Sequence, residues 1–527
     1  MARPGLSPAK AVLWAVQLAC EANLSTFRIL VSQHRKTLRN ETVLRIVLSH
    51  LPESLEPSLY IPLLQDLVTG NIVEDPEIPV DTSAFEELSE KEAAKRVRKL
   101  HLLPLVWPNA PADAPEDPIV LFLIHRALRI DENTGLITQI PELLAPFLHL
   151  SQYLRTWLIT TVLPLLRLNY EYHPTDIPNI SIPSFERLSD AAGINLLLSK
   201  TGNSDSKDAV GRDLRGLIGP WMYGDTRQKR RRLRKNSSVS AQTVAPLDEA
   251  PVANQKCASW EEVFKWITAQ ATTSWKTAVE VIEQWDGPGD VDLGGYEDGT
   301  EWLDEEDQQH LERRYARSAL AVAYLVPDSS LEALEGIHRI VSRIIVLLDL
   351  DRIPTLEVSG ALLSPITGVD ILLSSKNSSF LRNGLLEDSN TLTKPIEASL
   401  KLLHALLVSA YLFTRERVNM NLKRAAELAL LQHESEQRME LGRLLKSGLA
   451  LGQKGDDKHW TRLRNSILWL RSWGAEEAGE GGDAEHGKGV LGEISKEEIE
   501  VSILKTLLSN NRNSSISMIH ATRADQI

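Results

Sequence analysis

Seven basic side chains fall within nine positions: Arg227, Lys229, Arg230, Arg231, Arg232, Arg234 and Lys235. They are the densest ligand-binding chemistry in this sequence. Guanidinium and ammonium groups at that density suit phosphate oxygens and other multiply charged anions. The run therefore reads as a candidate contact for anionic lipid headgroups, at about 1 kcal/mol per basic residue near such a surface, or for an acidic partner. It also fits a nuclear-import signal or nucleic-acid patch, a pairing with the chain's own acidic loops, or a solvated run entering a loop. Ser237, Ser238 and Ser240 follow it, and phosphorylation there would add negative charge against the cations. The whole chain has 58 Lys and Arg against 71 Asp and Glu, a net charge of −13. That field opposes general nucleic-acid binding.

No other group of residues has the spacing of a reaction centre. The thirteen histidines are dispersed. His101, His125 and His404 sit in apolar helical text and read as packed or groove histidines rather than bases. The acidic pairs Glu261/Glu262 and Asp304/Glu305/Glu306/Asp307 open helices, where they favour the helix dipole. Phosphate-binding loops, zinc-protease helices and nucleophile elbows are missing. No catalytic residue, metal site or cofactor is assigned, and the chain reads as not an enzyme. Cys20 and Cys257 are too few for a disulfide framework or a four-thiolate zinc site and read as buried thiols. Trp260, Trp266, Trp275 and Trp285 cluster in one stretch, and Trp460, Trp469 and Trp473 in another. Both clusters read as packing between helices, with exposed anchors for a partner as the alternative.

The elements that carry these residues are helices. Ser7 and Pro8 suit the N-cap and first position of a helix over AKAVLWAVQLACEA. Asn40 reads as the cap of ETVLRIVLSHL, and another helix follows Pro57 and stops at Gly70. Ser89 and Glu92 make a capping box. Asp117-Pro118 opens IVLFLIHRALRI, whose first six residues are apolar on every face and imply a helix buried between neighbours. Helices over 140–150 and 152–169 contain Pro141, Pro146 and Pro164, which end or kink turns. A capping box at Ser259/Glu262 opens a periodic stretch over 260–285, and helices resume at 304–325 and 330–350. The text from 353 to 390 is broken by Pro and Gly. Helical hairpins follow over 393–451 and a further helix over 458–473.

The organisation expected is an N-terminal helical solenoid at 1–235, a disordered linker at 236–257 and a second solenoid segment at 258–473. A disordered acidic, Gly-rich loop at 474–494, a helix at 495–510 and a polar tail at 511–527 complete it. The fold class is all-α, an irregular α-solenoid of stacked helical hairpins with disordered loops, without a fixed repeat period. No segment approaches the roughly 20 apolar residues of a membrane span. The sequons at Asn23, Asn40, Asn179 and Asn377 then read as chance matches.

The stretch GRDLRGLIGPWMYGDTRQKRRRL resembles the Sec-thirty-nine family of fungal secretory-pathway proteins, related to the animal neuroblastoma-amplified-sequence protein. The likeness extends to LSPAKAVLWAVQLACEANLSTFRIL, VLRIVLSHLPESLEPSLYIPLLQDL and LGEISKEEIEVSILKTLLSN. It implies a subunit of the Dsl tethering complex, without catalytic activity or a membrane span, peripheral on the cytoplasmic face of the endoplasmic reticulum. Its implied partners are the other subunits of that complex and the SNAREs of that membrane, with no nucleic acid, and its implied work is Golgi-to-ER retrograde transport. The resemblance transfers no site residues. The loss of apolar periodicity after Asn510 departs from the family and reads as a truncated or mis-spliced end. A generic α-solenoid adaptor, for instance in nuclear transport through residues 227–235, is the alternative function.

Overall fold

The computed structural model describes residues 6–70, 88–105, 115–173, 180–203, 206–223, 259–299, 303, 305–369, 372, 381, 384–452, 456–474 and 487–509. Among them the chain is all-α, with no strand. The linker 236–257 and the tail 511–527 lie outside the described residues.

The chain divides into two compact units, and not at a single point. The first holds the described residues of Met1–Asp205, Asp213–Ser259 and Val291–Trp302; the second holds those of Ser206–Arg212, Trp260–Asp290 and Leu303–Ile527.

The first unit begins with α1 (Pro8–Cys20), α2 (Leu24–Gln33), α3 (Asn40–His50), α4 (Pro57–Thr69), α5 (Glu90–Arg98) and α6 (Pro118–Thr134). Ser7 accepts from Lys10 N at 3.4 Å and Pro8 takes the first turn, as the sequence implies. Asn40 differs. It is the first residue of α3 rather than its cap, and its amide donates to Leu67 O at 3.2 Å, a bond made across space. Asn23, another of the sequon asparagines, caps α2 through Thr26 N at 3.3 Å. Cys20 is exposed rather than buried because it ends α1 off the apolar stripe; Cys257 is outside the described residues.

Helix α6 is buried on every side from Ile119 to Ile124, and it packs on α3. Its Arg126, fully buried, caps the chain leaving α3, donating to Leu51 O at 2.8 Å and Pro52 O at 2.5 Å. Unpaired carbonyls at a helix end are costly when buried, and a guanidinium satisfies two at once.

Beyond α6 come α7 (Ile140–Leu144), α8 (152–172), α9 (Ile182–Glu186), α10 (Asp190–Lys200) and α11 (209–222). Helix α8 does not end at Pro164. It widens into π-turns at Leu158–Val162 and Arg167–Tyr172, and α11 widens at Leu214–Ile218. Pro164 and Pro220 each stand two residues after such a turn. A proline ring lacks the N–H and crowds the carbonyl one turn earlier; a widened turn accommodates both faults and lets the helix continue.

The second unit contains α12 (Trp260–Thr273), α13 (Trp275–Gln284), α14 (Glu305–Leu325), α15 (Leu331–Leu347), α16 (Leu356–Leu362), α17 (Glu397–Arg415), α18 (Leu422–Leu431), α19 (Glu434–Leu451), α20 (Asp457–Ser472) and α21 (Lys496–Ser509). The sequence reads 260–285 as one periodic stretch. The chain breaks at Ser274, whose backbone leaves the helical region, and α12 and α13 contact each other. Helix α12 also contacts α14, α13 contacts α15, α15 contacts α17 and α14 contacts α18.

Residues 475–486 lie outside the described residues, but the end of the expected disordered loop at 474–494 is packed. Val490, Leu491 and Ile494 are fully buried. Gly489 N donates to Arg471 O at 2.7 Å, Leu491 N to Leu470 O at 3.1 Å, and Arg471 Nε to Ile494 O at 2.9 Å. A Cβ on Gly487 or Gly489 would stand 2.3 or 2.1 Å from backbone oxygens of α20. Glycine there permits close backbone approach rather than disorder.

Candidate functional site

Arg227, Lys229, Arg230, Arg231, Arg232, Arg234 and Lys235 all lie outside the described residues. The text leading into them is helix α11, and it is a packing element. In the second unit, Gly211 N donates to Gln284 Oε1 at 3.0 Å, and a Cβ at Gly211 would stand 2.5 Å from Gln284 O. In the first unit, a Cβ at Gly216 would stand 2.3 Å from Tyr172 Oη, and one at Gly219 would stand 2.7 Å from Val291 Cγ1. Trp221 is buried edge-on to Phe185 at 4.6 Å and lies over Gly193 of α10.

One buried cation organises this region. Arg167, in the second π-turn of α8, donates to Gly216 O at 3.0 Å and Asp292 O at 2.6 Å and pairs with Asp292 Oδ1 at 2.8 Å. It thereby joins α8, α11 and the segment 291–299. That segment carries Asp292, Glu297 and Asp298 and no Lys or Arg. Its Leu293 packs with Ile159 and Tyr223, and Asp298 pairs with Arg155 at 2.8 Å. Burial, and then Asp298, push the Tyr223 phenol upward. A guanidinium spent on two carbonyls and a carboxylate has little left for a ligand.

Two histidines stand against groups that could do chemistry. Nε2 of His173 lies 3.3 Å from Asp213 Oδ2, both side chains buried, and the same carboxylate oxygen accepts from Gly202 N at 3.0 Å. The contact ties the end of α8 to the turn before α11. At the second, Ser359 Oγ stands 3.3 Å from His404 Nε2, the spacing of a nucleophile and its base. The hydroxyl, however, donates to Pro354 O at 3.3 Å. The two contacts compete for one hydroxyl proton, and the tautomer of His404 follows from which of them takes it. The nearby His338 also faces Pro354 O, at 2.9 Å, and must donate to it. His404 is held neutral, its pKa lowered to about 4 by burial and then by His338.

Unfolding releases His404 to its usual range near 6.5. The unfolded chain therefore binds the extra proton between pH 6.5 and 4, and stability contributed by the neutral ring is complete above 6.5 and lost as pH falls through that window. Urea unfolding at pH 7 and pH 5 should show wild type losing about 1–2 kcal/mol more than His404→Gln over that interval.

Burial lowers the His125 pKa as well, with Arg129 adding to it; His101 is exposed rather than packed. Five of the clustered tryptophans, Trp260, Trp285, Trp460, Trp469 and Trp473, are buried; Trp266 and Trp275 are half-buried. Trp285 stacks on Trp260 at 6.1 Å and meets Tyr315 edge-on at 5.1 Å, with its indole N–H on Asp290 O at 3.0 Å. No group of three metal-ligating side chains occurs among the described residues, and no described helix is long and apolar enough to cross a membrane.

A family model described as Secretory pathway protein Sec39 matches residues 12–526. The match includes the polar stretch after Asn510. A search of curated proteins found no significant match.

Proposed function

The chain belongs to the Sec39 family of secretory-pathway proteins, and on that footing we propose that it is a non-catalytic scaffold of an endoplasmic-reticulum tethering complex. It serves Golgi-to-ER retrograde vesicle transport, holds the other subunits of the Dsl complex and the ER SNAREs, and sits peripherally on the cytoplasmic face of that membrane. The family match over nearly the whole chain carries this reading. The structure supports it through chemistry: the buried Arg167 guanidinium is spent on internal carbonyls rather than on a ligand. The helix-to-helix contacts of the second unit suit an α-solenoid, a fold that offers extended surfaces to several partners. Modest contacts to two tethered partners add through effective concentration rather than through one deep site.

The test is affinity purification of the tagged chain from detergent-solubilised membranes, with bound proteins identified by mass spectrometry. Tether subunits and ER SNAREs should co-purify. Recovery of neither, from a chain shown to be folded, rejects the scaffold reading.

A further inference from the structure

We propose that the exposed face of α5 docks on the headgroups of anionic lipids in a bilayer. Four cations build it. Lys91, Lys95, Arg98 and Lys99 stand at i, i+4, i+7 and i+8 on one side of the helix, all exposed. With Ala94 they line an open hollow of about 440 Å³. Among the described residues no carboxylate pairs with any of the four; the helix's one internal ion pair joins Arg96 to Glu92 at 3.4 Å.

Lys95, Arg98 and Lys99 stand in or just after the last turn, where the dipole favours cations, whereas Lys91 occupies the first turn, where it does not. Lys91/Lys95 and Lys95/Lys99 are like-charge neighbours four residues apart, a repulsion that an external anion relieves. The stripe is also held firmly. Helix α5 packs on α1, and the chain after it is pinned to α3 by Arg45, which donates to Leu102 O at 3.0 Å and Leu103 O at 3.1 Å, and by Ser49 Oγ, which accepts from Leu103 N at 2.8 Å.

A bilayer is favoured over an acidic protein because the chain belongs to a secretory-pathway family; the chain's overall charge of −13 leaves an unpaired cationic face as the part that an anionic surface attracts. The proposal rests on the peripheral association argued above, but it is tested separately, without tether subunits.

Purified full-length chain is sedimented with vesicles of phosphatidylcholine alone, or of phosphatidylcholine with phosphatidylserine or a phosphoinositide. Binding should appear only with the anionic vesicles and fall with added salt. Lys95→Glu/Arg98→Glu should weaken it at least about tenfold, since each surface cation contributes about fivefold. The control Lys496→Glu/Lys505→Glu, an equal charge change at exposed positions of α21, should leave it intact. Circular dichroism checks that each variant is folded. Equal binding to neutral and anionic vesicles, or undiminished binding by the α5 variant, overturns the proposal. So does Lys95-dependent capture of free inositol hexakisphosphate or polyglutamate without vesicle binding, since the occupant is then a soluble anion or an acidic protein. Loss of tether co-purification with vesicle binding retained would reject the scaffold reading and leave the headgroup site standing.

Discussion

Arg464→Ala should lower stability by about 3–5 kcal/mol, the usual cost of stranding a buried charge. Arg464 on α20 donates through Nε to both carboxylate oxygens of Glu500 on α21, at 3.0 and 3.2 Å, and through Nη2 to Oε1 as well. The side chains are 5% and 9% exposed. Removing the guanidinium leaves a carboxylate without water or a counter-charge. The pair as a whole is worth far less than its breakage suggests, because burying both ions costs nearly what their attraction returns. Arg464→Met with Glu500→Leu should therefore recover most of the loss. Chemical unfolding of wild type, both single variants and the double variant measures the coupling. A coupling energy near zero would mean that the two side chains do not meet in the folded protein.

The second large effect is identified by its sign. Gly193 lies inside α10, where replacement by alanine ordinarily stabilises a helix by about 1 kcal/mol. Here the added Cβ would fall 2.1 Å from Cζ2 and 2.4 Å from Cη2 of Trp221. That ring is buried and cannot retreat, being packed edge-on against Phe185. Overpacking of this kind costs about 1–3 kcal/mol, so Gly193→Ala should destabilise despite its helix propensity. Combining it with Trp221→Leu opens the space, and the two losses should be less than additive. A stabilising Gly193→Ala, read from the urea midpoint, would place Trp221 elsewhere.

These two sites differ from the features that the sequence displays. Ser7 with Pro8, Ser89 with Glu92 and Asp117 with Pro118 were legible because a cap and its N–H lie within three residues. Ser89 accepts from Glu92 N at 3.3 Å and Ser495 from Glu498 N at 3.1 Å. Asn40 has the same local look, but its amide found Leu67 O. Gly193, Gly216 and Gly219 give no local sign of their partners, since Trp221, Tyr172 and Val291 meet them only through the fold. Residues 487–494 look polar and Gly-rich from composition, yet three apolar side chains anchor them. For function, the basic run 227–235 stood out by density alone. The stripe on α5 was equally present in KEAAKRVRK, but its meaning depends on which side of the helix lies against α1.

The π-turns have a consequence for how such a chain records its own history. Each is geometrically equivalent to one extra residue in an α-helix, and one residue turns the helix face by about 100°. Across Leu158–Val162 the helix is buried on every side from residue 156 to 169, so the slip leaves no mark in the polar pattern of the sequence.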